Sequence, residues 1–282
     1  MSDKDYVVFE SGGRAGYSAK LCYLYAQRRG LVNGRNLVMA DTNPIFTHLS
    51  PIGAVINSNE MDSFDDFIVF PADELTRQRN PKKYGVNSVW YDKLRVNEIL
   101  AERVDYLKVR IPTTFSYSNV CIRPNSESAG SKGLQMLDDV CISELVDKKA
   151  EYVVDCIGSD MWAREVQLKD GYDQYVKFLP LDHPVYEAAR EIIEQAYFTK
   201  LIGLFNGIFH LQLIEGQAGV LYYVEASKRI SGTALVNIPF GFNPFAHLEG
   251  YQVERIAPSQ IKENTWYRYE DILEYVIRQI YD

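Results

Sequence analysis

Residues Gly207 to Gly232 read GIFHLQLIEGQAGVLYYVEASKRISG, and this stretch decides the fold. In its first arm Phe209, Leu211 and Leu213 alternate with His210, Gln212 and Ile214. In its second, Tyr222 and Val224 alternate with Tyr223, Glu225, Ser227 and Arg229. A period of two is the period of a β-strand. Glu215-Gly216-Gln217-Ala218-Gly219 between the arms supplies turn residues, so the stretch reads as a β-hairpin. Any register that sets Gln212 against Tyr223 or Glu225 puts Gln212, Glu225, Ser227 and Arg229 on one face. Three oxygen-bearing side chains and a cation then converge. Such a set suits Mg2+, which takes one or two carboxylates and completes its octahedron with water and substrate phosphates. The competing reading is an amphipathic hairpin with a surface Glu/Arg pair.

On either side of the hairpin the pattern is helical. Val185, Ala189, Ile192, Ile193, Ala196 and Leu201 recur at helical intervals between Pro184 and Phe205. Downstream, a loop with Pro239, Gly241 and Pro244 leads to an amphipathic helix from Tyr269 to Tyr281. The segment before Leu181 is polar and poorly patterned. Further upstream, Cys141 to Leu145 and Glu151 to Ile157 read as strands, with Glu144 closing the first and Glu151 opening the second. Val120-Cys-Ile-Arg-Pro124 is a short strand, and Asn125 to Gly133 a Ser/Gly-rich loop whose N–H groups could wrap phosphate oxygens beside Arg123 and Lys132.

The N-terminal third alternates strand and helix. Tyr6 to Glu10 is an apolar run, Ser11-Gly-Gly-Arg-Ala-Gly16 a glycine loop, and Tyr17 to Arg29 a helix. Asn36 to Ala40 and Phe67 to Phe70 are further strands, and a helical stretch through Val96, Ile99 and Leu100 follows Asp92-Lys93. This order favours an open parallel sheet. The glycine loop with Asp41 beyond it invites a nicotinamide dinucleotide reading, but the loop lacks GxGxxG spacing, and that reading leaves Arg123, Glu144, Glu151 and Glu225 without roles.

Composition bounds the function. The 282 residues are 46% hydrophobic with a formal net charge of -8, enough for a sizeable core and too acidic for phosphate-backbone binding, so nucleic acid is not an expected partner. The four cysteines lack CxxC spacing, which argues against a zinc site and for reduced, cytoplasmic thiols. The charged N-terminus MSDKDYVVFE is unlike a signal peptide, and no apolar run reaches the roughly 20 residues of a membrane span, so no membrane association is expected.

In sum these motifs resemble the ATP-grasp superfamily, in particular the ATP-binding halves of the carbamoyl-phosphate synthetase large chain and its small stand-alone relatives. The resemblance implies an α/β plus α+β protein: an N-terminal open parallel-sheet (pre-ATP-grasp) domain over 1-112, a small lid over 113-170, and a C-terminal subdomain with the metal hairpin over 171-282. It implies ATP and Mg2+ as cofactors. Lys93, Arg123, Ser131, Lys132 and Gly133 would hold the phosphates, Glu144 with Leu145 and Val146 the adenine, and Glu151, seven positions on, the ribose. Gln212, Glu225 and Ser227 would hold the metal. Ser227 stands where the family has Asn, and its shorter hydroxyl would reach the second ion less directly. Arg229 and Arg123 would be catalytic. The implied reaction is ATP-dependent joining of a small carboxylic acid and an amine through an acyl phosphate, and assembly as a homodimer is compatible with it. An ATP-binding regulatory module without turnover is the alternative.

Overall fold

The computed structural model describes residues 4–9, 14–41, 55–57, 67–71, 93–102, 108–112, 114–117, 120–122, 135–137, 140–143, 146–169, 172–198, 208–227, 229–251 and 259–282. The N-terminal unit is a parallel four-stranded sheet in the order β3-β2-β1-β4, built from β1 (Asp5–Phe9), β2 (Leu37–Asp41), β3 (Val55–Asn57) and β4 (Phe67–Pro71). Helix α1 (Arg14–Arg28) joins β1 to β2, and α2 (Lys93–Ala101) follows β4 in the chain. The parallel sheet expected from the strand-helix alternation is present. The three-residue β3 is an addition, because so short a run carries no alternation to read.

Two small antiparallel pairs come next: β5 (Thr114–Tyr117) with β8 (Val140–Ser143), and β6 (Val120–Ile122) with β7 (Gln135–Leu137). The main sheet has six strands in the order β13-β12-β9-β10-β11-β14. They are β9 (Lys148–Ile157), β10 (Asp160–Lys169), β11 (Tyr172–Phe178), β12 (Ile208–Gly216), β13 (Leu221–Ser227) and β14 (Trp266–Arg268). Every pairing in it is antiparallel. The expected break near residue 170 falls inside this sheet, since β9 and β10 pair directly with the hairpin strand β12 and with β11. The segment before Leu181, which looks unpatterned in sequence, is therefore β10 and β11. Glu151 is also not the first residue of its strand; β9 starts at Lys148.

Among the described residues three more helices follow, α3 (Pro184–Phe198), α4 (Pro244–Leu248) and α5 (Tyr269–Tyr281), with a 3-10 turn at Ala234–Phe240. The main sheet separates two cores. On one side Tyr152, Val154, Phe209, Leu211 and Leu213 pack with Val185, Ala189 and Ile192 of α3. On the other, Val153, Trp162, Val176 and Ile208 pack with Ala19 and Cys22 of α1, the 3-10 turn, and Ile272 and Val276 of α5. Both cores are shared with the parallel sheet, which adds Val7, Val38 and Ala40 to the first and Tyr6 and Val8 to the second.

A polar clamp locks the same junction. The Glu249 carboxylate, its side chain 1% exposed, accepts hydrogen bonds from the Tyr6 hydroxyl and from the Asn33 Nδ2 at 2.6 Å, and forms an ion pair with Arg35, whose Nε lies 2.5 Å away. Burial first, then the Glu249 carboxylate, pushes the Tyr6 phenol up, so it stays a hydrogen-bond donor. Asn33 presents its amide from a left-handed turn, φ 42°, where Asn is among the residues that tolerate positive φ. Removing the carboxylate would take a buried counter-charge from a guanidinium that otherwise donates to the Lys4 carbonyl. Glu249→Ala is expected to cost about 3 kcal/mol of unfolding free energy, read as a lower urea midpoint at unchanged slope. An unchanged midpoint would show that the clamp holds nothing.

Candidate functional site

The hairpin forms as expected, with one local difference. Gly219 takes φ 77° in the turn, and the Gly216 N–H closes onto the Val220 carbonyl at 2.9 Å. The register sets Gln212 opposite Glu225 and His210 opposite Ser227, and then shifts between Gln212 and Leu213. Leu213 pairs with Tyr223, so Val224 is an extra residue in β13, a β-bulge. The simple alternation through Tyr223 and Glu225 is thus corrected. Tyr223 is buried with the α3-side core, whereas Glu225 lies on the other side with Gln212.

Gln212 and Glu225 are both half-buried and directly opposite. Cβ atoms of such pairs lie about 5 Å apart, close enough for one small cation to take an oxygen from each. Ser227 is fully buried, and its Oγ has no hydrogen-bond partner. A buried hydroxyl without a partner costs free energy, so the position invites an additional ligand. These are hard oxygen donors and fit Mg2+ or a similar ion. Among the described residues no group of three or more His, Cys, Asp or Glu could hold a metal, so the ion would need oxygens from water and phosphate.

Glu151 lies on the same face of β9, half-buried and 2.8 Å from the Lys148 Nζ. Val146 sits against the end of the hairpin. A Cβ at Gly216 would come within 3.4 Å of its Cγ1 and 3.2 Å of the Tyr222 ring, and the glycine admits both. Arg229, half-buried beyond the end of β13, donates to the Ile230 carbonyl at 3.2 Å. Lys93 opens α2, but its side chain lies outside the described residues, as do Arg123, Ser131, Lys132, Gly133, Glu144 and Leu145. The structure brings Gln212, Glu225, Ser227 and Glu151 onto one sheet face.

Beneath them is a buried polar cluster that no local sequence pattern marks. Asp155 and Arg164 are both wholly buried and joined at 2.5 Å. Arg164 also donates to the Ser231 and Thr233 hydroxyls, and Asp155 accepts from the Ser231 N–H and the Asn237 amide. His210 stands between Asp155 and Ser227 in register. Its Nδ1 lies 3.0 Å from the Arg229 carbonyl, an acceptor, so the proton is on Nδ1. The order Asp155, His210, Ser227 across three strands looks like a nucleophilic triad. Its bonds run elsewhere: Ser227 makes no bond to the imidazole and is closed to solvent.

A cleft of about 370 Å3 opens at one end of the sheet, lined by Lys148, Lys149, Glu165, Gln167 and Trp266 among others. Glu165 pairs in register with Tyr152 of the α3-side core, on the face away from Gln212 and Glu225, whereas Glu151 and Val166, which also line the cleft, belong to the Gln212 face. Its charges are already matched, Lys149 to Glu215 at 2.6 Å and Lys177 to Glu165.

No family model matches the chain, and no curated protein matches it in sequence. Solved structures do. N5-carboxyaminoimidazole synthetase from Staphylococcus aureus superposes with a TM-score of 0.61 at 12% identity, over 90% of this chain and 80% of that one. The same enzyme complexed with ADP gives 0.59 at 11% identity, over 91% and 79%. A putative ATP-grasp superfamily protein from Archaeoglobus fulgidus gives 0.57 at 15% identity, over 90% of both chains. L-amino acid ligase from Bacillus licheniformis gives 0.55 at 10% identity, over 94% and 79%. The chain has the ATP-grasp fold.

Burial, then the Arg229 charge, pushes the His210 imidazole below its ordinary value, so it is neutral in the folded protein. The unfolded chain binds that proton first, so stability is complete above about pH 6.5 and declines as pH falls, by at most about 1.4 kcal/mol per pH unit. His210→Gln, which can still donate to the Arg229 carbonyl, is expected to flatten this decline between pH 6.5 and 5. Urea titrations without divalent cation check it; an unchanged slope would mean that His210 is charged when folded.

Proposed function

We propose that the protein is an ATP-dependent ligase that joins a small carboxylic acid to an amine. An oxygen of the acid attacks the γ-phosphorus of ATP, ADP leaves, and the amine then displaces phosphate from the acyl carbon as it gives up a proton. The observation that carries this reading is the direct pairing of Gln212 with Glu225 on the face that also holds Glu151. The fold supports it, and so does the superposition with a synthetase complexed with ADP.

In this reading Gln212 and Glu225 hold Mg2+, with Ser227 beneath them. The ion would supply charge neutralisation to the phosphates. Glu151 receives the ribose, and Val146 borders the adenine. Lys93, Arg123 and the loop through Ser131, Lys132 and Gly133 grip the phosphates, and Glu144 and Leu145 complete the adenine pocket, as the resemblance implies. Arg229 faces the phosphoryl group in transit and steadies the charge that develops on it. The lid that the resemblance implies over 113-170 would exclude water, which would otherwise hydrolyse the acyl phosphate. Gln212 in place of a glutamate follows the carbamoyl-phosphate synthetase pattern. The buried free thiols of Cys22 and Cys156 suit a reducing cytoplasm.

Screening small acids and amines for ADP release in Mg2+ tests the proposal, with Glu225→Ala as the control. The variant is expected to fold normally, since Glu225 is only half-buried, and to lose at least 100-fold in Mg-dependent turnover. Normal turnover would remove the hairpin from the chemistry.

Ser227, standing where the resemblance has Asn, favours a second reading, a module that binds ATP without turnover, and one substitution separates the two. Ser227→Ala removes an unsatisfied buried group, so the metal-free protein is expected to be no less stable and up to about 1 kcal/mol more so. In the ligase the same change raises the Mg2+ needed for half-maximal ADP formation severalfold. A loss of metal-free stability would mean that Ser227 is already satisfied without metal.

A further inference from the structure

The Asp155–Arg164 pair is fully enclosed, and burying two opposite charges costs nearly as much as their attraction returns. An apolar pair of similar size would stabilise the sheet as well. The question is what else the charges hold, and the answer is a single segment. Arg164 reaches Ser231 at 2.9 Å and Thr233 at 2.5 Å, while Asp155 takes the Ser231 N–H at 3.2 Å and the Asn237 amide at 2.8 Å.

Other elements grip the same segment. His210 of β12 donates to the Arg229 carbonyl, and Ser18 of α1 donates to the Gly232 carbonyl at 2.9 Å. At Gly232 a Cβ would stand 3.1 Å from the Cβ of Arg14, so α1 lies almost against the backbone there. Residues 229 to 233 have no regular secondary structure of their own, yet strands β9, β10 and β12 and helix α1 each fasten them. Arg229 is the first residue of this fastened stretch.

We propose that Asp155 and Arg164, acting through Ser231 and Thr233, are positioning residues that preset the Arg229 guanidinium at the phosphate end of the nucleotide site. This rests on the ligase reading for the role of Arg229. None of the four residues touches substrate. Their work is done before ATP arrives: an arginine held in one orientation loses less freedom on meeting a phosphoryl group than one on a free loop.

The consequence is selective. A loosened segment should weaken recognition of the terminal phosphate and leave the rest of the nucleotide alone. The test compares calorimetric titrations of Mg·ADP with those of the Mg complex of an ATP analogue bearing nitrogen between the β- and γ-phosphorus. Ser231→Ala with Thr233→Val, the second of which keeps the side chain's shape, removes the two hydroxyls that Arg164 reaches. The doubly substituted protein is expected to bind the analogue about tenfold more weakly than native and ADP within twofold of native. Thr233→Ser alone, which keeps a hydroxyl, should bind both as native does. Arg229→Ala should reproduce the selective loss.

An undiminished affinity for the analogue in the doubly substituted protein overturns the inference, and so does an equal loss for both nucleotides, the mark of general loosening. Should the double change prevent folding, Thr233→Val alone is put to the same comparison with the same criteria. A native protein that binds neither nucleotide would be a different result: it removes the ATP reading itself, and this inference with it.

Discussion

The antiparallel pairing of β9 with β12 is the constraint on which the molecule rests. These are the two inner strands of the sheet nearest the hairpin edge, and together they form a partition between two cores. On the α3 side they present Tyr152, Val154, Cys156, Phe209, Leu211 and Leu213 to the core, with the Glu215 carboxylate at the hairpin end accepting from the Tyr152 hydroxyl. The other side is apolar at Val153 and Ile208 and polar at Asp155, His210 and Gln212. Because side chains alternate strictly, a slip of one residue would drive Asp155 and His210 into α3, at a cost no other contact could offset. Register and function are thus set by the same alternation. The bulge at Val224 then adjusts the outer strand, putting Tyr223 into the core and Glu225 beside Gln212.

The polar side of the partition is built in two depths. Near the surface are the half-buried Gln212, Glu225, Arg229 and Glu151, which can exchange protein partners for a ligand. Below them Asp155, Arg164, Ser231, Thr233 and Asn237 are bonded to one another and closed to water. A charge in the lower layer cannot be removed cheaply, because its partner would be left alone in a medium of low polarisability. The upper layer can stay open to a ligand because the lower one holds the backbone beneath it in place.

Much of this was legible in the sequence. The hairpin announced itself by period, the last helix fell at Tyr269–Tyr281 as its apolar spacing required, and the strand-helix order of the N-terminal third foretold a parallel sheet. Gln212 and Glu225 could be placed on one face because a hairpin leaves few registers to choose from. β10 was hidden by its own chemistry. Arg164 sits in its middle as an inward residue, and a buried arginine reads in sequence as an exposed one, which erases the alternation. The bulge was illegible too, since nothing in Tyr222-Tyr223-Val224 marks an extra residue. Asp155 and His210 stood at readable positions, but their partners lie about 80 residues apart along the chain in the case of Asn237, a distance no local pattern spans.

One modest contact carries a mechanical meaning. Arg110 gives its N–H to the Leu221 carbonyl and takes the Tyr223 N–H, both at 2.8 Å, on the outer edge of β13. An open strand edge is a template for another chain, and here the protein's own connecting segment plugs it. The same two bonds tie the segment that follows the N-terminal unit to the hairpin at Tyr222, just on the turn side of the bulge. A pull on that connection is therefore delivered to the stiff, core-packed half of β13, and Val224 stands as a fuse between it and Glu225.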